Sequence, residues 1–160
     1  MSLAKLPRPT IQSRTLGPWE TNCYVVSVPG SEECWVIDVG FDPQPLLDLV
    51  RQAGLRPVRI ILTHAHLDHI AGVRELLQAL GPVPLAIHES EAEFLLDPDL
   101  NLSTFVEMNV TTPPADERLH DGQTLRLKGQ GMPGSKGGPP GDAYVEIHVD
   151  PHAFFEPRDN

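Results

Sequence analysis

A chain of 160 residues with a formal net charge of −10 has room for one domain, or one and a fraction. The acidic balance argues against nucleic acid or an anionic membrane as main partner, and 40% hydrophobic residues exclude wholesale disorder. The cysteines Cys23 and Cys34 are too few for a disulfide framework and have no CxxC or zinc-ribbon spacing, so they read as buried free thiols. No stretch has the length and apolarity of a signal peptide or a membrane span, which makes a reducing cytoplasm the default compartment.

In chain order, Met1 to Ser13 is polar and proline-broken and reads as a loose lead-in. Asn22–Val28 and Glu33–Gly40 are β-branched and aromatic runs around the turn Pro29-Gly30-Ser31, and predict a hairpin. Asp42 reads as the cap of a helix with proline in its first turn and Leu46, Leu47, Leu49 and Val50 on its apolar stripe, ended by Gly54. Val58–Leu62 is a buried strand. Ile70, Val73, Leu76, Leu77 and Leu80 lie on one face of a second helix, stopped by Gly81-Pro82. Val83–Ile87 is a short strand. Ser90 to Glu93 matches a capping box for a short helix, and Asn101–Ala115 has no clear period. Arg118–His120 and Gln123–Leu127 flank Asp121-Gly122 and predict a second hairpin. Strands alternating with helices give an α/β fold class.

Between the strand Val58–Leu62 and the second helix stands Thr63-His64-Ala65-His66-Leu67-Asp68-His69. Three imidazoles and a carboxylate in six residues, with no thiolate, form a donor set suited to zinc, with iron or manganese as alternatives. In an extended segment His64 and His66 point the same way and can grip one ion. Asp68 and His69, at the start of the helix pattern, can turn toward a second. The stretch lies at the C-terminal end of a buried strand, where open α/β sheets place their sites. The candidate metal ligands are therefore His64, His66, Asp68 and His69.

This stretch resembles the His-x-His-x-Asp-His signature of the metallo-β-lactamase superfamily. Thr21-Asn22-Cys23-Tyr24, Val36-Ile37-Asp38-Val39-Gly40 and Gly72 extend the likeness. It is strongest to small glyoxalase II-like members, which hydrolyse thioesters such as hydroxyacylglutathione. The resemblance implies the first half of an αββα sandwich and one or two zinc ions. It implies hydrolysis of a thioester or ester by a metal-bound hydroxide, with Asp68 as a catalytic residue and Asp38 supporting the site. In that superfamily a later histidine, a bridging aspartate and a final histidine complete the ligand set. Here the corresponding region, Lys128–Ser135, carries no histidine.

The composition changes there. Six glycines and three prolines fall between Gly129 and Gly141, followed by Ala143–Val149 with strand-like alternation and no partner strand in sequence. Leu125–Gly134, Gly137–Asp142, Tyr144–Val149 and Pro151–Phe155 resemble the C-terminal substrate-binding domain of DnaJ-type co-chaperones. The reading is a chimera: residues 1–127 form a truncated metallo-β-lactamase-like domain. Residues 128–160 form a DnaJ-like fragment with a glycine-rich loop and one extra strand. The crossover lies within Asp121–Leu127, which fits both families. His88, His120, His148 and His152 read as surface histidines, and Asp142 as part of the chaperone-like pattern. The implied function is a glyoxalase II-like metallo-hydrolase acting on a small-molecule thioester or ester. The alternatives are a non-catalytic protein that binds at most one metal, or a chaperone-type peptide-binding fragment. A half-sandwich also implies self-association through exposed apolar faces.

Overall fold

The computed structural model describes residues 8–127, 129, 138, 139 and 141–147. The chain divides between Leu119 and His120 into two compact units.

The first unit is built on a six-stranded sheet whose spatial order is its chain order: β1 (Thr10–Leu16), β2 (Thr21–Ser27), β3 (Glu33–Ile37), β4 (Arg56–Ile61), β5 (Leu85–His88) and β6 (Glu117–Leu119). The pairs β1–β2 and β2–β3 are antiparallel, and β3, β4, β5 and β6 run parallel. Hydrophobicity tracks position. Cys34, Trp35 and Val36 of central β3 are all buried, whereas only Leu16 of β1 is buried. The register between β3 and β4 slips at Cys34/Trp35, opposite Pro57, which has no N–H to give the ladder.

Helix α1 (Gln44–Gln52) links β3 to β4 and buries Leu46, Leu47, Leu49 and Val50. The single helix predicted around Ile70 to Leu80 is two: α2 (Leu67–Ile70) and α3 (Val73–Leu80), parted at Ala71-Gly72. The break lets the chain dock on the loop after β3. Val39 N–H donates to the His69 carbonyl at 2.8 Å, and Gly72 N–H donates to the Val39 carbonyl at 3.0 Å. Side chains from both elements meet in the core that holds Val36, Val39, Ile70, Val73 and Leu76.

Four expectations are corrected. Residues 10–16 are not a lead-in but the edge strand β1, held by pairing with β2 although most of its outward residues are polar. Ser90 does not cap a helix. The 3-10 helix Glu89–Leu95 starts from His88, whose ring nitrogen accepts from Ser90 N–H. Arg118–His120 and Gln123–Leu127 do not pair. Asp121-Gly122 does make a turn, but β6 joins the large sheet beside β5, while β7 (Thr124–Leu127) pairs antiparallel with β8 (Ala143–Glu146) in the second unit. The last strand therefore has a partner. In the same unit Asp142 accepts from Arg126 Nε at 2.6 Å and from Gly129 N–H at 2.7 Å. Most of the glycine-rich stretch, and His148 and His152, lie outside the described residues.

Both cysteines are buried and free, and burial pushes each thiol up to about 11. No helix among the described residues is long and apolar enough to cross a membrane.

The tightest glycine in the fold is Gly72. A Cβ there would stand 2.2 Å from the Gly40 carbonyl oxygen and 3.0 Å from Val39 Cγ1. Both obstacles belong to a buried, hydrogen-bonded loop that cannot give. Gly72→Ala therefore costs at least about 2 kcal/mol, read as a lower midpoint of urea unfolding. An unchanged midpoint would contradict this packing.

Candidate metal centre

The parallel strands β3, β4 and β5 deliver their C-terminal ends to one edge of the sheet, and the site is assembled from the segments just beyond those ends. Asp38 comes directly after β3, Thr63–His69 after β4, and Glu89–Leu95 after β5. The ladder continues past the strand ends: Asp38 N–H donates to the Ile61 carbonyl at 3.0 Å, and Leu62 N–H to the Ala86 carbonyl at 2.9 Å.

Asp38 is 2% exposed and sits at φ +58°, a left-handed conformation that aspartate tolerates better than most residues. The turn aims its carboxylate at the histidine stretch. Oδ1 accepts from Thr63 N–H at 2.8 Å, and Oδ2 accepts from Thr63 Oγ1 at 2.7 Å and from His69 Nδ1 at 2.9 Å. An ionised carboxylate only accepts, so the His69 proton is on Nδ1 and Nε2 faces the site. Thr63 carries the constraint one residue on. It spends its hydroxyl hydrogen on Asp38, so its oxygen accepts from His64 Nδ1, 3.1 Å away. His64 thus also turns Nε2 to the site. A buried carboxylate sets the tautomer of two imidazoles, one directly and one through a hydroxyl.

The imidazoles of His64 and His69 lie 4.0 Å apart, and those of His64 and His66 lie 4.6 Å apart edge to face. Burial pulls the His64 pKa down, and the neighbouring His69 and His66 add to this, so His64 stays a neutral nitrogen donor. Burial also pulls His69 down. The hydrogen bond and charge of Asp38, with the charge of Asp68, more than reverse it, and its pKa is raised. His69 Nε2 stands 3.3 Å from Asp68 Oδ2. With Nδ1 committed to Asp38, Nε2 is the nitrogen that meets Asp68, as an ion pair when the ring is protonated. Asp68 Oδ2 is also fixed by the Thr21 hydroxyl, which donates to it at 2.8 Å from the start of β2.

The donor set fits zinc, iron or manganese in kind: neutral imidazole nitrogens and carboxylate oxygen, with no thiolate. In number it falls short. Among the described residues no group of three or more histidine, cysteine, aspartate or glutamate side chains is disposed to hold one ion. The structure places His64 and His66 on the segment after β4 and Asp68 and His69 on α2. Of the other candidates, His88 bonds to Ser90, His120 and Asp142 belong to the second unit, and His148 and His152 are outside the described residues. Two residues that serve the site carried little sequence signal as such: Glu91, which lay inside the supposed capping box, and Asn101, in the segment without period.

A family model for the metallo-beta-lactamase superfamily matches residues 16–155. The chain belongs to the metallo-beta-lactamase superfamily. It is 32% identical over 113 residues to the probable metallo-hydrolase YqgX of Bacillus subtilis (strain 168), a match that takes in 70% of this chain and 52% of that protein. The chain thus spans about half the length of this curated relative. Two solved structures share 29% identity with it. One is BLEG-1 B3 metallo-beta-lactamase, at a TM-score of 0.66 over 86% of this chain and 67% of that one. The other is TTHA1623 in a di-iron-bound form, at 0.58 over 84% and 66%. The fold class is thereby shown: α/β, of the metallo-β-lactamase kind. The second likeness is also found. The chain is 63% identical over 38 residues to chaperone protein DnaJ of Geobacillus sp. (strain WCH70), covering 24% of this chain and 10% of that protein. The superfamily match runs into the second unit as well.

Asp38 should be the most sensitive polar position in the first unit. Asp38→Ala leaves three donors without their acceptor in a buried site and lowers stability by about 3 kcal/mol in urea unfolding, with an unchanged slope. A loss under about 1 kcal/mol would contradict the hub role.

Proposed function

We propose that this chain uses His64, His66, Asp68 and His69 to hold a catalytic metal and hydrolyses a small thioester or ester, in the manner of a glyoxalase II-like enzyme. One observation supports this above the rest: the Asp38 network leaves Nε2 of both His64 and His69 as the donor atom, beside a carboxylate already aligned by Thr21. A protein whose histidines served only the surface has no use for such control.

A zinc, iron or manganese ion held there would supply a Lewis acid that polarises a carbonyl and makes water acidic enough to act at neutral pH. The protein's own groups do the rest. His64 and His66 would hold the ion from the extended segment. Asp38 keeps the His69 ring from rotating and holds the proton of its neutral form on Nδ1, the orienting role that carboxylates have toward ligand histidines. Asp68, held through Oδ2 by the Thr21 hydroxyl, would be a carboxylate ligand of the ion and the group to take a proton from an attacking water. The curated relative is named a probable metallo-hydrolase and one structural relative carries two irons, which agrees with the metal class without choosing the metal.

The absence, among the described residues, of a converged group of three donors favours one second reading: a chain that binds a single ion and does not turn over. Purified full-length chain, loaded in parallel with zinc, iron and manganese, separates the two with a glutathione thioester as substrate. Hydrolysis that falls at least about 100-fold in both His66→Ala and Asp68→Asn supports the enzyme. Metal-loaded chain that is no faster than these variants overturns it and leaves the binding reading.

A further inference from the structure

The backbone of the ligand stretch is gripped at every second residue. Thr63 N–H donates to Asp38 Oδ1 at 2.8 Å, Ala65 N–H to Glu91 Oε2 at 3.1 Å, and Leu67 N–H to the Asn101 carbonyl at 3.0 Å. These are three anchors from three parts of the fold. Between them stand His64 and His66, the latter with extended backbone at φ −63° and ψ 147°. Alternate N–H groups of an extended segment point the same way, so Thr63, Ala65 and Leu67 are tied along one edge, with His64 and His66 between the ties.

The middle anchor is the least replaceable by solvent. Ala65 is 0% exposed, so its N–H has no water to turn to if the carboxylate leaves. Glu91 is itself well placed. It sits on the 3-10 helix Glu89–Leu95, which is started by the His88 side chain and seated in the core by Ala92 and Leu95. Its neighbour Glu93 faces outward and pairs with Arg118 at 2.9 Å, so the two acidic residues divide their work.

We propose that Glu91 is a positioning residue of the metal centre: through the Ala65 amide it sets the spacing of the His64 and His66 imidazoles without touching the ion. The inference rests on the metal-centre reading above. The interaction is a hydrogen bond to an acceptor, so glutamine, whose side-chain oxygen can take the same N–H, should substitute, and alanine should not.

The test uses the full chain, ¹⁵N-labelled, as wild type, Glu91→Gln and Glu91→Ala, with zinc alone as the probe. Amide hydrogen exchange is followed at Ala65, with Ile60 and Ile61 as internal controls, and zinc affinity is measured by competition with a chromogenic chelator. In Glu91→Ala, exchange at Ala65 quickens at least about tenfold while the β4 amides hold, which separates a local release from general loosening. Zinc binding weakens about 10- to 100-fold, and Glu91→Gln restores both. Continued protection of Ala65 in Glu91→Ala, zinc affinity equal to wild type, or a Glu91→Gln variant as impaired as Glu91→Ala each overturn the proposal. Failure of wild-type chain to bind zinc at all would instead sink the metal-centre reading, and the exchange at Ala65 would still show whether the anchor exists.

Discussion

A single buried carboxylate organises this site. Asp38 has been taken out of water and must be met by donors, and the fold supplies three: the Thr63 amide, the Thr63 hydroxyl and the His69 ring. Each of those bonds does a second task. The amide holds the end of β4, the hydroxyl passes the constraint to His64, and the ring bond turns His69 toward Asp68. Remove the carboxylate and the two histidines lose their tautomers together, because both depend on one acceptor. The left-handed backbone at Asp38 is what points the group sideways from the strand end into this network.

The sheet makes such a meeting feasible. Three adjacent parallel strands end at the same edge, so segments far apart in sequence emerge as neighbours. Asp38, the histidine stretch and Glu91 come from three successive strand ends. The Gly40–Gly72 contact then closes the loop after β3 against the helices that come after the ligands. On the opposite flank, buried Asn101 donates to the carbonyls of Phe94 and Val110, accepts from Ser103 N–H, and offers its own carbonyl to Leu67. An irregular segment is thereby made firm enough to support the last anchor.

The four proposed ligands stood out in sequence because their chemistry is local: donor types at fixed spacing on a strand-to-helix junction. So were the central strands and α1, whose apolar patterns report burial. The supports were harder to see. Glu91 serves a residue 26 positions away, and nothing local distinguishes it from a capping glutamate. Asn101 belongs to a segment without period, since its order comes from side-chain bonds to backbone and not from repeating burial. The edge strand β1 escaped notice because half of its residues face solvent and prolines precede it. The Asp-Gly pair correctly signalled a turn, but turn chemistry does not say which strands flank it. Here β6 and β7 go to different sheets, since the pairing is decided by partners more distant in sequence.

The central claim is that these four residues bind metal through nitrogen and oxygen alone. X-ray absorption on the zinc-loaded full chain, with wild type beside a His64→Ala, His66→Ala double variant, tests it most directly. The account predicts a bound ion in the wild type with a first shell of nitrogen and oxygen near 2.0 to 2.2 Å, on the order of ordinary zinc–histidine and zinc–carboxylate distances, and none retained by the variant. A sulfur shell near about 2.3 Å, or equal metal in both proteins, would place the ion elsewhere and contradict it.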